Sequence, residues 1–305
     1  MAATQLVETV TGDTMAALLA ARDAATGVDM VELRLDGVTD LDVGAALRGR
    51  RLPVIATCRP TWEGGRFSGG EQERRQVLVQ ALAAGAEFVD VEWRADFSDV
   101  IAANPSRIVL SSHDFEGMPA DLPGRARAMR QCGAAVIKIA VKAARLGDSI
   151  PLLEIARGGN AVVIAMGDAG VSSRLLATKF GSRWTYAGNA VAPGQISSAR
   201  MIGEFRFGAI GPETVVYGLV GGHATSSRSP AMHNAAFEAA GLDAVYVPLV
   251  PSDFDDFLAF ADAIGVRGVS VTIPFKLDAL RSARRSDELT RLVGAANTLR
   301  RSGAG

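Results

Sequence analysis

Eight short runs rich in Val, Ile and Leu, each followed by a stretch with helical spacing, limit most strongly what this chain of 305 residues can fold into. The runs fall at 6–10, 30–35, 54–58, 88–93, 108–111, 135–141, 162–166 and 184–187. Between them lie Ala/Leu/Arg-rich segments such as 14–25 and 71–84. Strands alternating with helices at this rhythm pair in parallel and are covered on both faces. Eight of them close into a (β/α)8 TIM barrel, for which about 205 residues is compact. An open doubly wound sheet is the alternative, and it fits less well because no Gly-rich nucleotide turn follows the first run. The predicted fold class is α/β, with the barrel over residues 1–205.

Residues 206–214, RFGAIGPET, break the rhythm and are expected to be a linker. A second, smaller α/β pattern spans 215–305, with strands expected at 215–220, 244–250 and 268–273. Its first helix is expected to have Ser229 as cap and Pro230 in the first turn. At about ninety residues this unit is small for a domain.

Composition narrows the function classes. The 32 basic and 33 acidic residues leave a net charge of −1, which makes no electrostatic case for nucleic acid or a membrane surface. Apolar runs stop far short of the ~20 residues that span a bilayer, and the N-terminus, MAATQLVETVTGD, lacks a signal-peptide pattern. Cys58 and Cys132 provide neither a disulfide framework nor zinc-ligand spacing. A soluble cytoplasmic enzyme with a small-molecule partner and no metal is expected, and a homodimer is compatible with this reading.

Chemistry in a TIM barrel gathers at the carboxyl ends of the strands. The second run, VELRLD, sets Glu32, Arg34 and Asp36 on one face, and the fourth, VEWRAD, repeats this with Glu92, Arg94 and Asp96. With both sheet faces covered, these charges are expected to point into the barrel mouth. The third run ends in Arg59, followed by a Gly-rich stretch with Glu63 and Arg66 that reads as a mobile loop able to close over an anion. His113 is the one histidine before residue 205 and stands at a strand end, where it could accept and return a proton near neutral pH.

Lys138 lies inside the sixth run, AAVIKIAV, with Val136 and Ala140 on its face and Ile137 and Ile139 on the other. Burial disfavours an ammonium, and an amine whose pKa falls from about 10.4 towards 7–8 can attack a carbonyl. After the seventh run, Met166 is expected to close the pocket and Arg174 to clamp a carboxylate with two parallel hydrogen bonds. After the eighth, Pro193–Gly194 turn the chain and Gln195 is expected to open the last helix. Together these groups suit imine formation with a ketone that carries a carboxylate, then proton removal beside the imine by His113.

The segments VELRLD, TCRPTWEGG, SSHDFEG, IKIA, MGDAGVSSR and APGQ occur in the order seen in the type I 3-dehydroquinate dehydratases of the shikimate pathway, and residues 1–205 resemble that family. The resemblance implies a Schiff base on Lys138, with proton transfer by His113. It implies contacts of Glu32, Arg34 and Arg59 with substrate hydroxyls, of Arg174 with the carboxylate and of Gln195 with the ring, and it makes Glu63 the family's loop glutamate. Val191 departs from the family, which often has serine there. The implied reaction converts 3-dehydroquinate to 3-dehydroshikimate, a step of aromatic amino acid biosynthesis, without metal or diffusible cofactor.

YGLVGGHATSSRSPAMHN, VTIPFK and GAANT resemble the substrate-binding half of shikimate dehydrogenase. This implies substrate-binding roles for Ser227, Ser229, Thr272, Lys276 and Asn297, with Lys276 at the family's catalytic lysine. Fusion of the two enzymes in this order is a known bifunctional arrangement. NADP would be needed for the second activity, and no G-x-G-x-x-G occurs in the sequence, so the chain as given is expected to be redox-inactive. Other readings are a lysine-dependent aldolase, or a barrel enzyme whose C-terminal unit senses a ligand or mediates assembly.

Overall fold

The computed structural model describes residues 4–188 and 193–302. Eight parallel strands build the first sheet: β1 Gln5–Val10, β2 Met30–Arg34, β3 Val54–Thr57, β4 Phe88–Glu92, β5 Ile108–Asp114, β6 Val136–Lys142, β7 Ala161–Met166 and β8 Trp184–Ala187. Their order, β7-β6-β5-β4-β3-β2-β1-β8, sets each beside its neighbour in sequence and returns β8 to β1. No ladder joins β7 to β8 among the described residues. The seam is bridged instead by Arg183 N to Ala161 O (2.9 Å) and Val163 N to Ser182 Oγ (3.0 Å). The sheet is a nearly closed (β/α)8 barrel.

Its outer layer contains α1 Met15–Ala24, α2 Val43–Leu47, α3 Glu71–Ala83, α4 Ser98–Ala103, α5 Leu122–Gln131, α6 Ile150–Arg157, α7 Val171–Leu175, α8 Ala177–Phe180 and α9 Ser198–Gly203. Side-chain caps start several of them, including Thr14 for α1, Asp42 for α2 and Asp121 for α5. Met15, Leu18 and Arg22 of α1 recur at helical spacing and turn inward.

Alternation along the strands sorts the barrel interior into two layers. Towards the amino ends, Val7, Met30, Ile55, Val109, Val136, Val162 and Trp184 form an apolar plug. Two residues further along several of these strands, Thr9, Glu32, Thr57, Ser111 and Lys138 are also buried, with Asp90 of β4 beside them. The change from apolar to ionic places the site. Ile137 and Ile139 pack outward against the helices, as the alternation predicts.

The second sheet contains β9 Val215–Val220, β10 Ala244–Leu249, β11 Gly268–Val271 and β12 Thr298–Arg300, in the order β10-β9-β11-β12. Pairing is parallel except for β12, which runs antiparallel to β11. The three residues of β12 are too few and too polar to form a recognisable run in sequence. The helices of this unit are α10 Ser229–Ala239, α11 Phe254–Ile264, α12 Lys276–Ser282 and α13 Glu288–Val293. Ser229 is the first residue of α10 and not its cap; its backbone N–H donates to Ser227 Oγ at 3.1 Å.

The connection at 206–214 differs from a free linker. Phe207, Ile210 and Thr214 are buried, and a single hydrophobic cluster runs from the barrel helices through Phe205, Phe207 and Ile210 to Val245, Phe254 and Phe257 of the second unit. The apolar residues between its glycines anchor it.

Candidate active site

Lys138 is 4 % exposed and stands on β6 beneath the mouth of the barrel. Its Nζ donates to Asp90 Oδ2 at 3.0 Å and to Glu32 Oε1 at 3.1 Å, and lies 4.3 Å from the centre of the Tyr186 ring. Burial alone lowers the pKa of such an amine, but Asp90 and Glu32 outweigh it and hold Lys138 above its ordinary range. This corrects the expectation of a neutral resting amine. The sequence shows the burial of one strand but not which carboxylates the neighbouring strands bring to it.

Those carboxylates are themselves fixed. Glu32 accepts from Thr9 Oγ1 at 3.2 Å and Thr57 Oγ1 at 2.9 Å. Asp90 accepts from Ser111 Oγ at 2.5 Å and pairs with Arg59 at 2.9 Å. Burial would raise the pKa of Asp90, yet Arg59 and Lys138 bring it below the usual carboxylate range. Arg59 also bonds Glu92 at 2.6 Å, and the fully buried Arg74 of α3 holds the other oxygen of Glu92. Of the three charges expected to point inward from the fourth run, only Glu92 is buried. β4 ends there, and Arg94 and Asp96 lie beyond it, exposed.

His113 lies within β5, two residues past the expected end of that strand. Its Nδ1 is 2.9 Å from Glu63 Oε1, which also accepts from the His113 backbone N–H at 2.9 Å. Burial, with the Arg59 and Lys138 cations nearby, holds the imidazole well below its ordinary pKa, so the ring rests neutral. Burial likewise pushes Glu63 up to about 7, against the opposing pull of Arg59.

The stretch carrying Glu63 folds as a tight turn that buries this carboxylate. Glu63 is 4 % exposed, Phe67 N donates to Arg59 O at 3.1 Å, and a Cβ on Gly65 would lie 2.0 Å from Arg59 O. The glycines permit this close approach. Arg66 points away from the site, its side chain 61 % exposed and paired with Asp13.

Arg34 forms a two-pronged pair with Asp36, at 2.9 and 2.8 Å, at the rim of the pocket. Arg174, on α7, is 2 % exposed and has no acidic partner among the described residues. Its Nη2 reaches Pro193 O at 3.3 Å, and its Nε has no hydrogen-bond partner among the described residues. Burial without a counter-charge lowers its pKa to about 10, which still leaves it cationic at neutral pH. An unmatched buried guanidinium is costly, and an anionic ligand offsets that cost. Gln195 lies in the pocket wall near Thr9 Oγ1 at 3.4 Å. It does not open the last helix; α9 begins at Ser198 with Ser197 as its cap. Met166 and Ile164 supply apolar wall, and Val191 lies outside the described residues.

In the second unit the expected residues gather at the carboxyl edge of the parallel strands. Ser227 and Ser229 place their hydroxyls 3.1 Å apart. Thr272 closes on the turn after β9, where a Cβ on Gly221 would lie 2.2 Å from Thr272 Cγ2. Lys276, exposed, starts α12, and its carbonyl accepts from Ala296 N at 2.9 Å; the carbonyl of Asn297 accepts from Val271 N at 2.7 Å.

Lys138, His113 and Arg174 thus line one pocket at the mouth of the barrel. The family model described as type I 3-dehydroquinase matches residues 7–207. The chain belongs to this family. A second model, the shikimate dehydrogenase substrate binding domain, matches residues 219–299. The chain is 35 % identical over 292 residues to the chloroplastic bifunctional 3-dehydroquinate dehydratase/shikimate dehydrogenase of Arabidopsis thaliana, covering 90 % of this chain and 48 % of that protein. It therefore spans about half the length of that relative.

The 3-dehydroquinate dehydratase of Syntrophobacter fumaroxidans is 37 % identical over 198 residues, 84 % of its length and 57 % of this chain. Among solved structures, the dehydroquinate dehydratase and shikimate dehydrogenase from S. pombe AroM aligns with TM-score 0.58 and 24 % identity, over 98 % of this chain and 62 % of that one. The 3-dehydroquinate dehydratase from Geobacillus kaustophilus aligns with TM-score 0.59 and 25 % identity, over 65 % and 88 %.

For a type I 3-dehydroquinase barrel, sequence reading missed Asp90, Tyr186, Ser111 and Arg74. A signal for Asp90 was present, because it shares the face of Glu92 in VDVE. Arg74 carried none, since a helical arginine ordinarily reads as surface. In the second unit the first amide of α10 is bound by Ser227 Oγ, and the absence of a Cβ on Gly221 lets Thr272 approach the turn after β9.

Proposed function

We propose that the barrel removes water from 3-dehydroquinate to give 3-dehydroshikimate through a Schiff base on Lys138. The observation that carries this reading is the shared pocket of Lys138, a neutral His113 and the Arg174 cation, which has no acidic partner among the described residues. Substrate hydroxyls that donate to Glu32 weaken its hold on the ammonium, so the amine can pass its proton to neutral His113, which returns it to the carbonyl oxygen as that oxygen leaves as water. Nitrogen then attacks the carbonyl carbon and water leaves to form the iminium. This cation draws electrons from the neighbouring carbon, and His113 Nε2 accepts the proton released there. The same proton returns to the departing hydroxyl, which leaves as water. Hydrolysis then frees the conjugated product and restores Lys138.

Arg59 and Arg34 serve as hydroxyl contacts in this reading, Arg174 grips the carboxylate, and Gln195 borders the ring. Glu63 fixes the imidazole. The dehydratase unit is 1–205, the connection 206–214, and 215–305 a shikimate dehydrogenase-like unit with Ser227, Ser229, Thr272, Lys276 and Asn297 as half of a pocket. The small molecule is the partner, and the setting is the cytoplasm. No helix among the described residues is long and apolar enough to cross a membrane. The direct test is the growth of enone absorbance on adding 3-dehydroquinate, with the product identified by mass. Carbon–carbon cleavage products would point to an aldolase.

Arg174→Ala is expected to lower kcat/KM by about 10- to 100-fold, the worth of hydrogen bonds to a charged group. A substrate analogue without the carboxylate should be penalised in the wild type and little further in the variant. Equal penalties in both would assign Arg174 to another ligand.

The pair of His113 and Glu63 also sets a pH dependence. Ionised Glu63 accepts the Nδ1 proton and leaves Nε2 free to act as base; protonated Glu63 loses that hold. Its pKa of about 7 therefore predicts that kcat/KM falls as pH drops through that value. Glu63→Gln should remove this acid limb. An unchanged limb in the variant would refute the assignment.

A further inference from the structure

The second unit reaches into the frame of the barrel's site at one buried carboxylate. Asp256 of α11 is 5 % exposed and accepts backbone hydrogen bonds from Leu146 N at 2.9 Å and Gly147 N at 2.8 Å. It also accepts from Ser252 N at 3.0 Å, and Arg145 Nε stands 3.8 Å away. Leu146 and Gly147 open the 3-10 turn Leu146–Ser149, which follows β6 and leads into α6. The two preceding amides, of Ala144 and Arg145, are bound by Asp148 of the same turn. Four consecutive N–H groups at the start of a helical segment are thus satisfied by two carboxylates, one of them supplied by the other unit. Unpaired amides at such a start favour negative charge, so this is a strong anchoring point.

The anchored segment adjoins the site. Just before it, Ala143 N donates to Met166 O at 3.0 Å, tying the end of β6 to a pocket-lining residue of β7. Gly167 N reaches Pro193 O at 3.4 Å, and the same carbonyl accepts from Arg174 Nη2. From the second unit, β10 also lies directly against α7, the helix that carries Arg174.

We infer that Asp256 is a positioning residue for the dehydratase: through the turn after β6, together with the contact of β10 on α7, the C-terminal unit holds Arg174 in place. This rests on the reading of Arg174 as the carboxylate clamp. The unit therefore serves the barrel's substrate recognition whether or not it binds a ligand of its own.

The test uses the full chain. Asp256→Asn keeps the volume but turns an N–H donor towards one of the two amides. Gly147→Ala approaches the contact from the barrel side, since its Cβ would lie 2.7 Å from Asp256 Oδ1. Each variant is expected to raise KM for 3-dehydroquinate about fivefold or more, with kcat within about twofold, because small misplacements of a binding group are felt strongly. Borohydride trapping of Lys138 at saturating substrate should be unchanged, and amide exchange at Leu146 and Gly147 should accelerate. A lower melting temperature with faster exchange but unchanged KM would overturn the inference and leave a purely structural contact. If Asp256→Asn does not fold, Gly147→Ala decides by the same criterion. A wild-type chain without dehydratase activity would overturn the functional reading and this inference with it; an active wild type with unshifted variants overturns this inference alone.

Discussion

Lys138→Ala is expected to lose turnover of 3-dehydroquinate by on the order of 10⁴-fold or more, and to lose every covalent adduct with it. Removing a nucleophile leaves only binding and acid–base assistance, and such residues act as a unit. The measurement is intact mass after borohydride reduction in the presence of substrate. The wild type should gain one reduced adduct, mapped by peptide mass to Lys138, and the variant none. Because Asp90 and Glu32 hold the resting amine protonated, adduct formation should depend on substrate engaging the pocket and not on raising the pH alone. A simple ketone without hydroxyls should trap poorly. An adduct on Lys142, which is exposed at the end of β6, would sink the assignment.

His113→Ala is expected to keep the imine while slowing proton transfer by about 10²-fold or more. The variant should accumulate covalent substrate or product under reduction, since Lys138 and its carboxylate partners remain. The sign of the accompanying pH effect follows from burial. The His113 pKa lies well below the ordinary imidazole value, so the ring is neutral across the physiological range and its own ionisation does not limit the rate there. The limb near pH 7 belongs to Glu63 and should be absent from the residual activity of His113→Ala. Wild-type turnover in the variant would remove histidine from the mechanism and make Glu63 or Glu92 the candidate base.

The legible part of the site was the part written along single strands. Lys138 between Ile137 and Ile139, and Glu32 between Val31 and Leu33, reveal their inward direction through alternation, because successive side chains of a strand point to opposite faces. His113 and Arg174 were legible as polar residues near strand ends. Arg94 and Asp96 were misread because the same alternation continued past the point where β4 stops. The burial of Glu63 was not legible, because it depends on Gly65 letting the chain pass close to Arg59 O.

By itself the sequence determined the eightfold alternation, the order of the two units and the face each strand residue takes. These depend on local periodicity, which needs no knowledge of neighbours. Only the tertiary structure decided the ionisation of the site. Whether Lys138 rests as amine or ammonium depends on Asp90 and Glu32, which lie 48 and 106 residues away in sequence yet about 3 Å away in space. The same holds for Arg174, which has no carboxylate partner among the described residues, and for Asp256, which closes on the barrel 110 residues from Leu146. Electrostatic energies fall with distance through space, and chain folding alone sets those distances.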